Sequence, residues 1–594
     1  MIGRFLRYVL AGSCALIECS AAAAATSTPI ILISVDTLRG DHLGVYGYRR
    51  ARTPNLDSFA DHGTVFQEIS SQIPLTLPSH FSLFTSTYPF ANRVEENAEQ
   101  APPTAVTLAS VLHAHGYRTA AFIGAVYLER ELGLDQGFDI YDSPFSFDAF
   151  SSLSGSMFFG DRNANPLHAR DRRDGALVAR AALQWLSANR DQPVFAFVHL
   201  FDLHRPYHLP RSIARRQGIS EYDAELEYID QLVGGLREAL VRDGWWQRSL
   251  VILLSDHGEG LGDHGEQTHG YFIYQSTLQV PLIVHWPSGA TDYPPRVPQP
   301  AGLIDVAPTI LDFLHLPAPP SFAGRSLLKP PEAGNPIYSE SVYSHDAFGW
   351  SALRSLRVGK YKYIAAPRPE LYDLEADPLE QNNLIAQNPA EVRALRGQLA
   401  GYVSQRHATT IPPERLAALE SLGYLAPEPE FSLKTSGPDP KDRLAEYRLY
   451  ERAQYQIMSG RSANAIAILR QLLDRDPRNT LARRDIGVAY NAQARYAKAR
   501  ASLQQVLTAA PADFVAQFEL GVADEHLKLF PEALEHLRAA CRMAPQSAGC
   551  RRELEAVQHE MKEKQKDRSA SRPVTRFIRA PKGCACSARD PEWS

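Results

Sequence analysis

Four short segments of this chain concentrate side chains that can hold a cation, attack an ester or move a proton. They are ISVDTLRGDHLGVYGYRRARTPNLD from Ile33 to Asp57, PLTLPSHFSLFTSTYP from Pro74 to Pro89, FVHLFDLHRPY from Phe197 to Tyr207, and SDHGEGLGDHGEQTHG from Ser255 to Gly270. Asp36, Asp256 and His257 combine carboxylate oxygens with an imidazole, the donor mix of a divalent-cation site. Such an ion polarises an ester and makes a bound hydroxyl a better nucleophile. Thr76 is one hydroxyl of the second segment that could play that part. Pro78 and the following FSLFTS place it at a helix N-terminus, where backbone N–H groups and the helix dipole favour an anion. His80, His204 and His269 can hold negative charge or protonate a leaving group. Taken singly these residues have plainer readings: a cap for Asp36 or Thr76, a polar turn for SDHGEG, core or surface positions for the histidines.

The elements around these segments argue that they meet. Ile30 to Val35 is an unbroken apolar run bounded by Pro29 and Asp36, the pattern of a parallel strand buried on both faces. Val194 to Leu200 and Ser249 to Leu254 read the same way, and Asp174 to Asn189 and Tyr222 to Val241 have helical periodicity. Strand alternating with helix predicts an α/β fold with a doubly wound sheet, whose ligands bind beyond the carboxyl ends of the strands. Each of the three strands ends in candidate chemistry: Asp36, the stretch His199 to His204, and Asp256 with His257.

The remaining organisation is set by length and composition. A chain of 594 residues exceeds one core, and 44% hydrophobic with 22% charged residues and a net charge of -5 excludes a generally basic nucleic-acid binder. Residues 1–26 carry Arg4 and Arg7, a short apolar stretch and the small residues Ala21 to Ala25, the layout of a cleaved export signal. No later stretch is apolar enough to span a bilayer, so a periplasmic or secreted protein without a transmembrane segment is expected. The catalytic domain is expected over 27–425, with a smaller subdomain from about 336. It contains no cysteine; Cys541, Cys550, Cys584 and Cys586 lie near the C-terminus, and Cys541 and Cys550 can pair across adjacent helices. APEPEFSLKTSGPDPKD, residues 426–442, reads as a linker. Beyond it Pro477, Pro511 and Pro545 recur every 34 residues, in register with Gly487 and Gly521, Ala465, Ala499 and Ala533, and Leu469, Leu503 and Leu537. That period and those small residues predict an all-α tetratricopeptide solenoid over 443–563, closed by a polar capping helix from Gln546 to about Glu563. Residues 564–594 form a basic tail expected to be disordered.

Several motifs in this order resemble the sulfatase family within the alkaline phosphatase superfamily. The resemblance runs from about residue 29 to 400 and includes LIDVAPTILDFLH from Leu303 to His315 and ELYDLEADPLEQNNL from Glu370 to Leu384. It implies one divalent metal held by Asp36, Thr76, Asp256 and His257, with His204 on the substrate side, His269 near a basic family position, and His80 where the family has arginine. Many sulfatases carry paired aspartates where this chain has Asp36-Thr37, and Asp-Asn where it has Asp256-His257. The exchange of a carboxylate for an imidazole shifts preference toward Zn²⁺ or Mn²⁺, with Ca²⁺ or Mg²⁺ behind. Asp202, His204 and His269 are an alternative second metal site. Sulfatases oxidise a cysteine or serine to formylglycine at the position of Thr76. The methyl group on the threonine β-carbon forbids that product.

Threonine nucleophiles occur in phosphoryl-transferring members of the superfamily. A phosphothreonine is also more readily resolved by attack at phosphorus than a threonine sulfate at sulfur. The expectation is therefore an exported hydrolase or transferase that acts on an anionic ester, phosphoester before sulfate ester. Sulfuric ester hydrolysis is the runner-up, and a non-catalytic binding protein is the reading from another class. The repeats imply a protein partner.

Overall fold

The computed structural model of the chain describes residues 28–97, 99–145, 172–207, 209, 211–290, 292–330, 335–405, 437–543 and 548–570. The expected export signal, most of the linker and residues 571–594 of the tail lie outside them.

A nine-stranded mixed sheet organises the first part of the chain. Its strands are β1 (Ile30–Val35), β2 (Gly63–Ser70), β3 (Arg118–Phe122), β4 (Ile140–Asp142), β5 (Val194–Leu200), β6 (Leu250–Leu254), β7 (Gln279–His285), β8 (Arg296–Val297) and β9 (Ala301–Gly302). The order is β4-β3-β5-β1-β6-β7-β2-β8, with β9 beside β2. β1 lies between β5 and β6, parallel to both. β7 runs antiparallel to β6 and β2, so the doubly wound sheet is mixed rather than wholly parallel.

Helices cover both faces, as the apolar strands require. Ile30 and Leu32 of β1 point into one core with Leu77, Phe81, Leu83 and Phe84 of α1 (Thr76–Thr85). Ile31, Ile33 and Val35 point into the other, with Val178, Ala182 and Leu186 of α2 (Gly175–Ala188) and Leu226, Ile229 and Val233 of α3 (Glu221–Arg242). Each such fully buried aliphatic side chain contributes about 1.5–3 kcal/mol. Register then aligns the chemistry: Ser34 pairs with His199 and Leu254, and Val35 with Leu200, so Asp36, Phe201 and Ser255 all leave the sheet at one edge.

Following α4 (Val306–Phe313), a second, antiparallel sheet is built from β10 (Ile337–Ser341), β11 (Leu353–Val358), β12 (Tyr361–Ala365) and β13 (Glu370–Asp373). Tyr338, Leu356, Tyr363 and Leu371 of this sheet pack on Leu395 and Leu399 of α5 (Pro389–Gln405).

Three helical hairpins come next: α6 (Leu444–Met458) with α7 (Ser462–Arg475), α8 (Thr480–Ala492) with α9 (Tyr496–Ala509), and α10 (Phe514–His526) with α11 (Phe530–Met543). The last helix, α12 (Ala548–Ala570), runs past the expected boundary at 563, so the first part of the basic tail is helical rather than disordered. Cys541 and Cys550 are disulfide-bonded, with Cα atoms 5.6 Å apart. The small residues of the repeat do what their period implies: a Cβ on Gly487 would lie 2.6 Å from Leu503 Cγ, and one on Gly521 2.7 Å from Leu537 Cγ. Gly487→Ala should therefore destabilise the repeats by about 1–3 kcal/mol despite the better helix propensity of alanine. A lower thermal midpoint of the full chain checks it; an unchanged or higher one shows that Leu503 yields freely.

The linker region is not free at its C-terminal end. Pro440 to Arg443 form a 3₁₀ turn, Asp439 accepts the Arg368 N–H at 2.9 Å, and the Pro438 carbonyl accepts the Ser351 N–H at 2.9 Å. None of the described helices is long and apolar enough to cross a membrane.

Candidate active site

The edge where β1, β5 and β6 end collects a group of buried polar side chains. Asp36 follows β1, and its backbone N–H is fixed by the Leu200 carbonyl at 2.9 Å. Asp256 follows β6. One of its oxygens accepts the His257 N–H at 2.9 Å, and its own carbonyl accepts from Ser79 Oγ at 2.7 Å, tying it to α1. His257 Nδ1 lies 3.0 Å from the Gly258 carbonyl, which assigns its proton to Nδ1 and leaves the Nε2 lone pair facing Asp256 Oδ2 at 3.4 Å. Thr76 is the first residue of α1 and is buried.

Both Asp36 oxygens, Thr76 Oγ1, Asp256 Oδ2 and His257 Nε2 are buried without a hydrogen-bond partner. Buried ligand atoms left orphaned in this way would be costly unless a cation joined them. Asp36, Asp256 and His257 offer ligand atoms that all lie within 4.8 Å of one another. The donor set therefore fits a divalent metal. Burial pushes the Asp36 carboxyl up to about 6, partly offset by His257, Asp256 and Thr76. Asp256 is raised as well, by burial first and then by the Asp36 charge. These carboxyls must ionise to bind metal, so apparent affinity should fall as pH drops through 6, by about tenfold per pH unit for each proton taken up. Chelator competition with Zn²⁺ or Mn²⁺ across that range checks it; a flat profile would show both carboxylates ionised throughout.

The helix N-terminus offers an anion less than its sequence promised. Leu77 N–H is donated to Asn97 Oδ1 at 2.9 Å, Pro78 has none, and Ser79 N–H closes onto the Leu75 carbonyl at 3.0 Å. The Thr76 amide and the dipole remain. His80 is also placed differently from the expectation: Nδ1 meets the Thr76 carbonyl at 2.7 Å and Nε2 meets Ser34 Oγ at 2.9 Å, with the ring fully buried. It braces the nucleophile's turn against β1 rather than facing substrate. Burial holds its pKa down to about 4.

His204 and His269 line the outer side. Their rings are 5.1 Å apart, edge to face, and His269 is 4.3 Å from His257. Burial lowers His269 to about 4; burial and the neighbouring His269 lower His204 well below its usual value. Asp202 does not join them. Its Oδ1 accepts the Gly175 N–H at 3.1 Å, at the N-terminus of α2, and Asp202 is in neither cluster of three ligand groups found among the described residues. The alternative second metal site of Asp202, His204 and His269 is therefore not assembled.

Two further residues belong here. His199 interrupts the apolar β5, with both ring nitrogens buried and unpartnered and Nε2 3.5 Å from Asp36 Oδ2. It forms the second ligand cluster with His80 and Asp256. A polar residue inside a buried apolar run was the available signal, because such a group needs a partner. Glu259 is fully buried, 3.3 Å from His269 Nδ1, and burial lifts it to about 7 against the pull of Arg205 and His257. Within DHGEG it read as part of a polar turn.

Strand-end carboxylates and imidazoles beside a buried hydroxyl, on a doubly wound sheet, form a site whose donors could hold a divalent metal next to a nucleophile. The sulfatase family profile matches residues 29–316, a profile described as the N-sulphoglucosamine sulphohydrolase C-terminal region matches 262–406, and a tetratricopeptide repeat profile matches 456–520. Arylsulfatase K of Mus musculus is 21% identical over 450 residues, covering 63% of this chain and 79% of that protein. Choline-sulfatase of Rhizobium meliloti is 26% identical over 434 residues, covering 61% and 82%. The phosphonate monoester hydrolase of Agrobacterium radiobacter shares the fold with a TM-score of 0.52 at 21% identity, over 64% of this chain and 95% of that one. A putative sulfatase of Bacteroides fragilis does so at 0.52 and 21%, over 64% and 96%. This chain carries a sulfatase-family hydrolase domain followed by tetratricopeptide repeats.

Proposed function

We propose that this chain is an exported hydrolase that cleaves phosphoric or phosphonic esters through a covalent Thr76 intermediate. The observation that carries the reading is the Thr76 hydroxyl: buried, without a hydrogen bond of good geometry, first in its helix and beside the unpartnered carboxylate of Asp36. A divalent ion held by Asp36, Thr76, Asp256 and His257, Zn²⁺ or Mn²⁺ by its donor set, would supply charge neutralisation for an anionic ester and acidify the hydroxyl. Thr76 Oγ1 gives up its proton to a neighbouring carboxylate and attacks phosphorus, and the P–O bond to the leaving alcohol breaks. Burial keeps His204 and His269 neutral near pH 7; the negative charge of an ester beside them favours the imidazolium, which protonates the leaving oxygen. Water or an acceptor alcohol then attacks phosphorus and releases Thr76.

Sulfuric ester hydrolysis is the second reading, favoured by relatives named arylsulfatase K and choline-sulfatase. Turnover of aryl sulfate, phosphate monoester, phosphodiester and phosphonate monoester by the metal-loaded full chain separates the two. Preference for the sulfate, with isolation of no phosphothreonine, overturns the first reading; bound metal with turnover of any of the four rules out a purely binding role. Export fits the disulfide between Cys541 and Cys550. A protein partner of the repeats fits their architecture.

A further inference from the structure

The repeats are joined to the hydrolase domain at the loop that carries His269. Between Glu259 and Tyr271 the chain passes under α6. Thr268 Oγ1 is 2.7 Å from Glu451 Oε1 and 3.1 Å from the buried Tyr447 hydroxyl. Tyr271 stacks on Tyr447 with ring centroids 4.0 Å apart and 7° between planes, and its hydroxyl donates to the Pro440 carbonyl at 2.5 Å. On the other flank of the loop, Arg448 Nε donates to the Gly265 carbonyl at 3.0 Å. Gly265 itself sits so close to α6 that a Cβ there would lie 2.4 Å from Leu444 Cδ2. One apolar cluster runs through the junction, uniting Tyr271, Phe272, Phe348 and Trp350 with Tyr447 and Tyr450.

Thr268 immediately precedes His269, whose ring packs on His257 and His204. A shift of Thr268 therefore moves the imidazole nearest the candidate metal ligand. Other contacts hold the rest of the loop: Arg39 Nη1 donates to the Glu259 carbonyl at 3.1 Å and to Asp263 Oδ2 at 2.8 Å, and the Gly260 N–H donates to the Thr268 carbonyl at 2.6 Å, whereas the hydrogen bonds of the Thr268 side chain go to α6. The bond from the Gly260 N–H to the Thr268 carbonyl couples the two sides of the loop, so what holds Thr268 bears on both His269 and Glu259. We propose that α6 is a working part of the active site, with Tyr447 and Glu451 as positioning residues that hold Thr268 and so set His269 and Glu259. The repeat module then has an intramolecular role in addition to any partner. The chemical role of His269 rests on the function proposed above, whereas the clamp does not.

The test uses the full chain with Thr268→Val and Glu451→Ala, singly and combined, and Glu451→Gln, whose amide oxygen still accepts from Thr268. Hydrogen exchange over residues 259–271 reads the clamp without any substrate. Metal content and ester turnover read its consequence. The expected result is faster exchange in that segment for Thr268→Val and Glu451→Ala, with wild-type metal content. kcat should fall by about tenfold, the cost of a sub-ångström to ångström misplacement, with KM little changed. The double variant should be no worse than either single one, and Glu451→Gln should behave as wild type. Wild-type exchange in the double variant overturns the clamp, and wild-type kcat with faster exchange overturns its bearing on the site.

Discussion

Thr76→Ala should reduce kcat/KM for the preferred ester by about 10³-fold or more while leaving metal content and thermal midpoint close to wild type. The structure separates these outcomes. The pull of Thr76 on the Asp36 carboxyl goes with the hydroxyl, but Thr76 Oγ1 sits in no hydrogen bond of good geometry, so deleting it removes a nucleophile and one weak ligand with little structural contact. The remaining donors of Asp36, Asp256 and His257 still converge. Its backbone carbonyl, which braces His80, is untouched by the change. Thr76→Ser keeps a hydroxyl on the same helix turn and should recover much of the rate. The measurement is steady-state turnover of the four ester classes together with mass spectrometry for a phosphorylated tryptic peptide, present in wild type and absent in the alanine variant. Wild-type-like turnover in Thr76→Ala would sink the mechanism outright, because no cysteine lies between residues 27 and 540 to take over.

How much of this was legible in the sequence follows from the range of the interactions. The strands were legible because burial on both faces leaves unbroken apolar runs, and their parallel register forces Asp36, His199 and Asp256 to neighbouring strand ends. The repeats were legible because Gly487 and Gly521 must accept Leu503 and Leu537 at every turn of the period. The direction of β7 was not, since antiparallel and parallel buried strands carry the same apolar pattern. The inward turn of His80 was equally hidden. Whether a histidine faces substrate or its own helix carbonyl depends on Ser34, 46 residues away. Asp202 entered an alternative second metal site because of its neighbour His204, yet the Gly175 N–H takes its Oδ1 and it joins neither ligand cluster among the described residues. Glu451 and Tyr447 gave no catalytic signal at all, because a residue that positions another through a domain contact looks like ordinary repeat sequence.

Replacing Asp36 with asparagine should divide the metal-free and metal-loaded proteins in opposite directions. A carboxyl held at about 6 instead of 3.8 costs the metal-free fold about 3 kcal/mol at neutral pH. The sign follows from proton binding: the folded state holds this proton more tightly than the unfolded one. Its stability is therefore lost as pH rises from 3.8 through 6, and an uncharged amide avoids the loss. Chelator-treated Asp36→Asn should thus melt at or above the temperature of chelator-treated wild type near pH 7. With metal the order reverses. A bound ion at a thousandfold excess over its Kd stabilises the wild type by about 4 kcal/mol, a gain the variant forfeits along with its affinity. Turnover should vanish with the metal, since Thr76 then loses the charge that acidifies it. Thermal unfolding with and without chelator, elemental analysis and steady-state ester turnover together read these effects. If Asp36→Asn lowers the metal-free midpoint and still retains stoichiometric metal, Asp36 is a structural residue and the cation site lies elsewhere, with His199, His80 and Asp256 as the remaining ligand cluster among the described residues.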